Sequence, residues 1–218
     1  MPDQNLILYT YWRSSASYRV RMALNLKGLD YESRPVHLVR DGGQQLSKDF
    51  TKLNPQQLVP ALVHGDQILT QSLAILEYLE EAFPQHPLLP TNALDRARVR
   101  AISQAIACEI HPLNNLRVLK YLTGPGGMDE PGKSAWYRHW TESGLKAVEK
   151  MLDHPDTGRF CHGNEPTLAD CCLLPQVYNA RRFECDLSGM DRLVGICSEL
   201  EQMTAIDDAA PENQPDAD

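Results

Sequence analysis

The chain has no apolar run approaching the roughly 18 residues that a membrane-spanning helix requires. It has no C-x-x-C pair, and none of its six cysteines falls within positions 12–17. The opening stretch, MPDQNLILYTYWRSS, runs polar, then apolar, then basic. A secretory signal has the reverse order, so a cytoplasmic location is expected. Positive charge is in deficit: 21 Lys and Arg stand against 29 Asp and Glu, for a net charge of -8. That argues against a general binder of nucleic acid or anionic membrane. The deficit is uneven. Residues 204–218 (TAIDDAAPENQPDAD) carry five acids and no base, and without those five the total of -8 becomes -3. With two prolines and few large apolar side chains, this tail is expected to be disordered.

What is present is the composition of a soluble globular protein: 218 residues, 42% hydrophobic, 23% charged, mean hydropathy -0.40. That length allows one large or two small domains whose cores need no staples. Cys108, Cys161, Cys171, Cys172, Cys185 and Cys197 read as reduced, mostly buried thiols. Cys171 and Cys172 adjoin on an expected helix, so their side chains diverge by about 100°. Cys161, His162 and Cys171 form a weak metal grouping, and no metal is expected.

The hydrophobic pattern changes along the chain. Asn5–Thr10 reads as a strand, and YRVRMALNLKG as a helix closed by Gly28. Tyr31–His37 reads as a strand, Leu46–Leu53 as a short helix, and Val59–Val63 with Gln67–Thr70 as a hairpin. Ser72–Phe83 is a helix with Leu76, Leu79 and Phe83 on one stripe. This β-α-β-α-β-β-α order is that of a thioredoxin-like domain, over residues 1–83. Pro84–Pro90 holds three prolines and reads as a linker spanning 84–91. Residues 92–203 read as all-helical: Asn92–Leu122 interrupted by Pro112, Ser134–Leu152, Thr167–Arg182 and Gly189–Met203. Thr167-Leu168-Ala169-Asp170 fits a capping box.

Several pieces can carry chemistry. The serines of Arg13-Ser14-Ser15-Ala16-Ser17 open a helix directly after the first strand, where free N–H groups and partial positive charge favour an anion, including a thiolate. A plain serine cap also accounts for them. Lacking a cysteine, this turn needs an external thiol for any sulfur chemistry. In Leu58-Val59-Pro60 a cis bond would expose the Val59 backbone to an extended peptide, although a trans turn is commoner. Gln71-Ser72 starts the next helix with Ser72 as its expected N-cap, a second place for a carboxylate. Arg13, Arg19, Arg21, Arg117, Arg181 and Arg182 either gather around an anionic substrate or lie solvated.

Together these segments resemble the zeta class of the glutathione transferases. The motifs are Ser14-Ser15-Ala16-Ser17-Tyr18-Arg19-Val20-Arg21, Asp41-Gly42-Gly43-Gln44-Gln45, Asn54-Pro55, Gln57–Leu62 and Gln71–Ile75. Ile110–Leu122 and Gln176–Phe183 also match. The resemblance runs from about Leu6 to Leu200. It implies a glutathione-binding α/β thioredoxin-like domain, an all-α substrate domain and a homodimer. It also implies glutathione-dependent cis–trans isomerisation of maleylacetoacetate in aromatic amino-acid catabolism. Maleylpyruvate is the alternative diacid, and transfer to α-halo acids the alternative chemistry. A non-enzymatic scaffold is opposed by the presence of Ser14, Gln71 and Ser72. Ser14 and Ser15 are the implied catalytic residues, with Ser14 favoured as thiolate partner. Glutathione contacts are implied for Ser14, Ser15, Ala16, Ser17, Tyr18, Arg19, Gln45, Val59, Gln71 and Ser72, and for His111, Asn115, Leu116 and Arg117. Arg13, Arg117 and Arg182 are implied for the substrate carboxylates. Two positions depart from the class: Ala16 stands where Cys is usual, and His111 where Gln is usual.

Overall fold

The structure, a computed structural model, describes residues 5–217. It divides into two units: residues up to Leu88 together with those from Glu201 onward, and Leu89–Leu200. Among the described residues no helix is long and apolar enough to cross a membrane.

The first unit is built on a four-stranded mixed sheet of order β2-β1-β3-β4. Strand β1 (Leu6–Thr10) alternates buried and half-buried residues, placing Leu6, Leu8 and Thr10 on the core face. It pairs in parallel with β2 (Glu32–Pro35), Leu8 facing Ser33. A parallel pair needs a crossover, which helix α1 (Ser15–Leu26) supplies. This helix starts three residues before the sequence pattern suggests, because Ser14 is its N-cap. Gly28 takes the left-handed conformation beyond its end (φ 65°), and the Leu29 N–H returns to the Leu24 carbonyl at 2.9 Å.

Helix α2 (Lys48–Leu53) leads to the hairpin β3 (Ala61–His64) and β4 (Gln67–Thr70). Leu62 faces Leu8 across β1–β3 and Leu69 across β3–β4. Helix α3 (Ser72–Ala82) closes the unit, with Ile75, Leu76 and Leu79 fully buried. The salt bridge from Lys27 Nζ to Glu80 Oε2, 2.9 Å and buried at both ends, ties α1 to α3.

The second unit is helical. Asn92 caps α4 (Ala93–Gln104), its Oδ1 accepting the Asp95 N–H at 2.9 Å. The helical pattern over 92–122, expected to be interrupted at Pro112, is four pieces. After α4 come a π-helical segment (Ala105–Ile110), a 3-10 turn (His111–Asn114) and α5 (Leu116–Thr123). Pro112, which lacks an N–H, sits at the start of the 3-10 turn. Helix α6 (Glu130–Leu152) begins four residues before the expected Ser134. Asp129 caps it through the Gly132 N–H at 2.8 Å, and Pro131 occupies its first turn. Helices α7 (Leu168–Arg182) and α8 (Asp191–Leu200) complete the unit. The capping box forms: Asp170 Oδ2 accepts from both the N–H and the hydroxyl of Thr167 at 2.8 Å. Burial pushes the Asp170 carboxyl up, against the hydrogen bonds from Cys161 and Thr167 that favour its ionised form.

The acidic tail is folded, contrary to the expectation of disorder. Helix α9 (Thr204–Asp207) and a 3-10 turn at Pro211–Asn213 form within it. Ile206 and Ala209 are buried, and the Arg21 side chain donates to the Ala209 carbonyl at 2.9 Å. Composition misses this because two small apolar residues and backbone carbonyls make the contacts.

Candidate functional site

Strand β1 ends at Thr10, and the Ser14 N–H donates to the Tyr11 carbonyl at 3.0 Å to close the turn into α1. Ser14 Oγ then accepts the Ser17 N–H at 3.2 Å. A hydroxyl that accepts one hydrogen bond keeps its own proton for donation to another group. Arg13, Ser14 and Ala16 are half-buried, whereas Ser15, Ser17, Tyr18 and Arg19 are buried. The structure therefore separates the two candidate serines: Ser14 is accessible, and the Ser15 side chain is 4% exposed.

Arg19 and Arg21 are neither solvated nor gathered on a surface. Arg19 Nη1 donates to Ser72 Oγ at 3.2 Å. Arg21 donates to Thr10 Oγ1 and to the carbonyls of Tyr11, Trp12 and Ala209. The sequence pattern does not expose this, because α1 is buried on nearly every side from Tyr18 to Leu24 and has no polar face to assign. Arg13 lies over the Trp12 ring, 4.4 Å from its centroid, and donates to Tyr11 Oη at 3.3 Å.

The second helix start differs in detail from the sequence expectation. Gln71, not Ser72, is the N-cap, and Ser72 is the first helical residue. Gln71 is exposed and holds φ 67°, a left-handed conformation that costs a non-glycine residue about 1–3 kcal/mol. Ser72 Oγ accepts from Arg19, so its hydroxyl proton is available in the same way as that of Ser14. The Val59–Pro60 peptide bond is cis. Gln45 is buried, and its Oε1 has no hydrogen-bond partner, which leaves an acceptor for a ligand N–H. Gly43 makes room for that amide: at φ 113°, a Cβ there would lie 2.7 Å from Gln45 Nε2.

The remaining candidates lie in the helical unit. His111 follows the π-helical segment and starts the 3-10 turn. Asn115 caps α5, its Oδ1 accepting the Arg117 N–H at 3.1 Å. Leu116 is the first residue of α5, and the Arg117 side chain is exposed at the positive end of the helix. Arg182 is exposed on the last turn of α7 with its guanidinium over the Phe183 ring, 4.8 Å from the centroid. Phe183 stacks on Tyr137 at 3.8 Å, and burial pushes the Tyr137 phenol well up.

The weak cysteine grouping does not suit a metal. Among the described residues the ligand atoms of Cys161, His162 and Cys171 do not gather into one group, and Cys161 and Cys171 are fully buried, where burial with the neighbouring Asp170 pushes the Cys161 thiol well up. Asp95, Asp156 and His162 lie close enough to share an ion. The Arg98 guanidinium, 3.3 Å from His162 Nδ1, makes that nitrogen the acceptor and leaves the neutral ring's proton on Nε2, toward Asp95 at 3.7 Å.

Residues 4–81 match the family model described as "Glutathione S-transferase, N-terminal domain". The Vibrio cholerae protein named "Probable maleylacetoacetate isomerase" is 51% identical over 213 residues, covering 98% of this chain and 99% of that one. A holo structure of maleyl pyruvate isomerase, described as a bacterial glutathione S-transferase in the zeta class, superposes with a TM-score of 0.94. It is 46% identical and covers 97% of this chain and 100% of that chain. The chain belongs to the zeta class of the glutathione transferases. A second zeta-class match is the Methylobacterium extorquens AM1 maleylacetoacetate isomerase, solved with bound malonate and glutathione. Its TM-score is 0.93 at 41% identity, covering 97% of this chain and 99% of that one. In this zeta-class chain the accessible serine is Ser14, and the next-but-one position is Ala16.

Proposed function

We propose that this zeta-class transferase catalyses the glutathione-dependent cis–trans isomerisation of maleylacetoacetate to fumarylacetoacetate. It would act as a cytoplasmic homodimer in the breakdown of phenylalanine and tyrosine. The observation that carries the reading is Ser14: an accessible hydroxyl that caps a helix N-terminus, in a turn with no cysteine. Such a turn is suited to activating a thiol that the chain does not own.

A carbon–carbon double bond does not rotate at ambient temperature, so the reaction needs transient single-bond character. Bound glutathione supplies the thiolate that adds reversibly to the alkene and is recovered unchanged. The chain's own residues bind, orient and polarise. Gln45, the Val59 backbone, Gln71 and Ser72 hold the tripeptide. Ser14 donates its hydroxyl proton toward the sulfur, and the first-turn N–H groups of α1 add positive potential. Both effects favour the thiolate. Arg13 takes a substrate carboxylate and stabilises negative charge that develops on the carbon skeleton. The Methylobacterium protein, solved with bound malonate and glutathione, supports a reading in which both a diacid and the tripeptide are bound.

Purified protein with glutathione and maleylacetoacetate should yield fumarylacetoacetate with no loss of free thiol. Unchanged substrate would overturn the reading, and stoichiometric thiol loss would assign the chain to group transfer instead. Maleylpyruvate is the second reading, favoured by the similarity to the maleyl pyruvate isomerase structure. The ratio of kcat/KM on the two diacids decides between them.

A further inference from the structure

We propose that the C-terminal segment positions the thiol-activating turn, with Arg21 and Asp216 as its two fastenings. This rests on the reading of Ser14 given above and extends it to Arg21, to which that reading gives no role, and to Asp216, which lies outside every matching motif. The Tyr11–Ser14 turn is gripped from two sides. From within, the fully buried Arg21 uses its whole guanidinium fork. Nη1 donates to Thr10 Oγ1 at 3.1 Å and to the Tyr11 carbonyl at 3.3 Å, Nη2 to the Trp12 carbonyl at 2.9 Å, and Nε to the Ala209 carbonyl at 2.9 Å. From the other side, Asp216 Oδ2 accepts the Trp12 N–H at 3.1 Å across 204 residues of sequence. Both grips therefore end on the tail.

The tail is itself cross-braced. Gln214 Nε2 donates to the carbonyls of Asp208 and Ala210, each at 2.9 Å, and Asn213 Nδ2 donates to the Asp207 carbonyl at 2.8 Å. Ile206 and Ala209 are buried in the same unit. A solubilising tail would need none of these bonds. Their effect reaches the site through Trp12. The tail holds the Trp12 amide, the Arg13 guanidinium rests on the Trp12 ring, and Ser14 follows at the end of the same turn. A carboxylate acceptor makes the Trp12–Asp216 bond charge-assisted and directional. Asp216 and Arg21 are thus positioning residues, and the groups they place are Arg13 and Ser14.

The test compares full-length wild type, Asp216→Ala and Asp216→Asn. In the presence of glutathione, Asp216→Ala is expected to lower kcat about tenfold and raise KM for the diacid. KM for glutathione should rise less than KM for the diacid, because Gln45, Gln71 and Ser72, which hold the rest of the tripeptide, do not touch the brace. Asp216→Asn keeps an oxygen to accept the Trp12 N–H and should recover most of the loss. Wild-type kinetics in Asp216→Ala, or a fall in Tm with no split between the two KM values, would overturn the proposal. Amide hydrogen exchange at Trp12 judges the brace independently of turnover: faster exchange in Asp216→Ala supports it, and unchanged exchange refutes it. If wild type fails to isomerise, the functional reading fails on its own while that exchange measurement still decides the brace.

Discussion

Arg19 Nη1 donates to Ser72 Oγ at 3.2 Å, so the first turns of α1 and α3 are tied by one buried hydrogen bond. These two helix starts carry the hydroxyls of Ser14 and Ser72. Each hydroxyl accepts a bond from the protein and keeps its own proton for a ligand. One end suits a thiolate and the other a carboxylate, an arrangement suited to an extended anionic tripeptide.

Replacing Ser72 by alanine removes an acceptor from a buried guanidinium as well as a ligand contact. We expect a stability loss of about 1–3 kcal/mol and a rise in glutathione KM of about tenfold. Urea denaturation and initial-rate kinetics measure the two effects separately. Loss of stability with an unchanged KM would remove Ser72 from the binding site.

The Lys27–Glu80 pair stabilises the same unit through different groups. Lys27 Nζ also donates to the His86 carbonyl at 3.1 Å, and Glu80 Oε2 accepts the Leu88 N–H at 2.9 Å. Lys27→Met strands a buried carboxylate and should cost about 3–5 kcal/mol in chemical denaturation. Activity per folded molecule should be unaffected.

Much of this was legible in the sequence. The order of the first seven elements follows from period-2 and period-3.6 patterns, and the Thr167–Asp170 box marks the start of α7 to the residue. The turn at Ser14 was legible as a cap. What was not legible depends on long-range partners. Nothing local distinguishes Arg21, a fully buried fork, from Arg13, a half-buried cation on a ring. Nor does an acidic, proline-containing tail announce that two of its small apolar residues are buried. Pro112 marked an interruption in 92–122, but the π-helical stretch from Ala105 was hidden, because six residues are too few for its different period to show.

That break leads to a packing prediction. A Cβ on Gly144 of α6 would lie 2.4 Å from Ile110 Cγ1, at the end of the π-helical segment and beside His111. Gly144→Ala should therefore destabilise by about 1–3 kcal/mol despite the better helix propensity of alanine. Adding Ile110→Ala should relieve the clash, which a double-mutant cycle of unfolding free energies would reveal. Additive losses would contradict the contact.

Asp170 predicts a pH dependence. Its carboxyl is held above the usual range by burial, so between the unfolded and folded values the native state binds more protons. Its contribution to stability therefore grows as pH falls and is lost as pH rises through the folded value. Asp170→Ala should cost about 2–4 kcal/mol at neutral pH, from the lost cap and the stranded N–H groups of Cys161 and Thr167. The gap from wild type should widen in urea melts at mildly acidic pH, and a narrowing gap would contradict the sign.

We infer that Ser14 polarises a thiol supplied from outside the chain. Ultraviolet titration of thiolate absorbance, on glutathione bound to wild type and to Ser14→Ala, tests it most directly. The account predicts a bound thiol pKa well below that of free glutathione in wild type, and a return toward the free value in Ser14→Ala, with kcat lower by about 10²–10³. A wild-type complex whose thiol titrates like free glutathione, or a Ser14→Ala complex that keeps the lowered value, would contradict it.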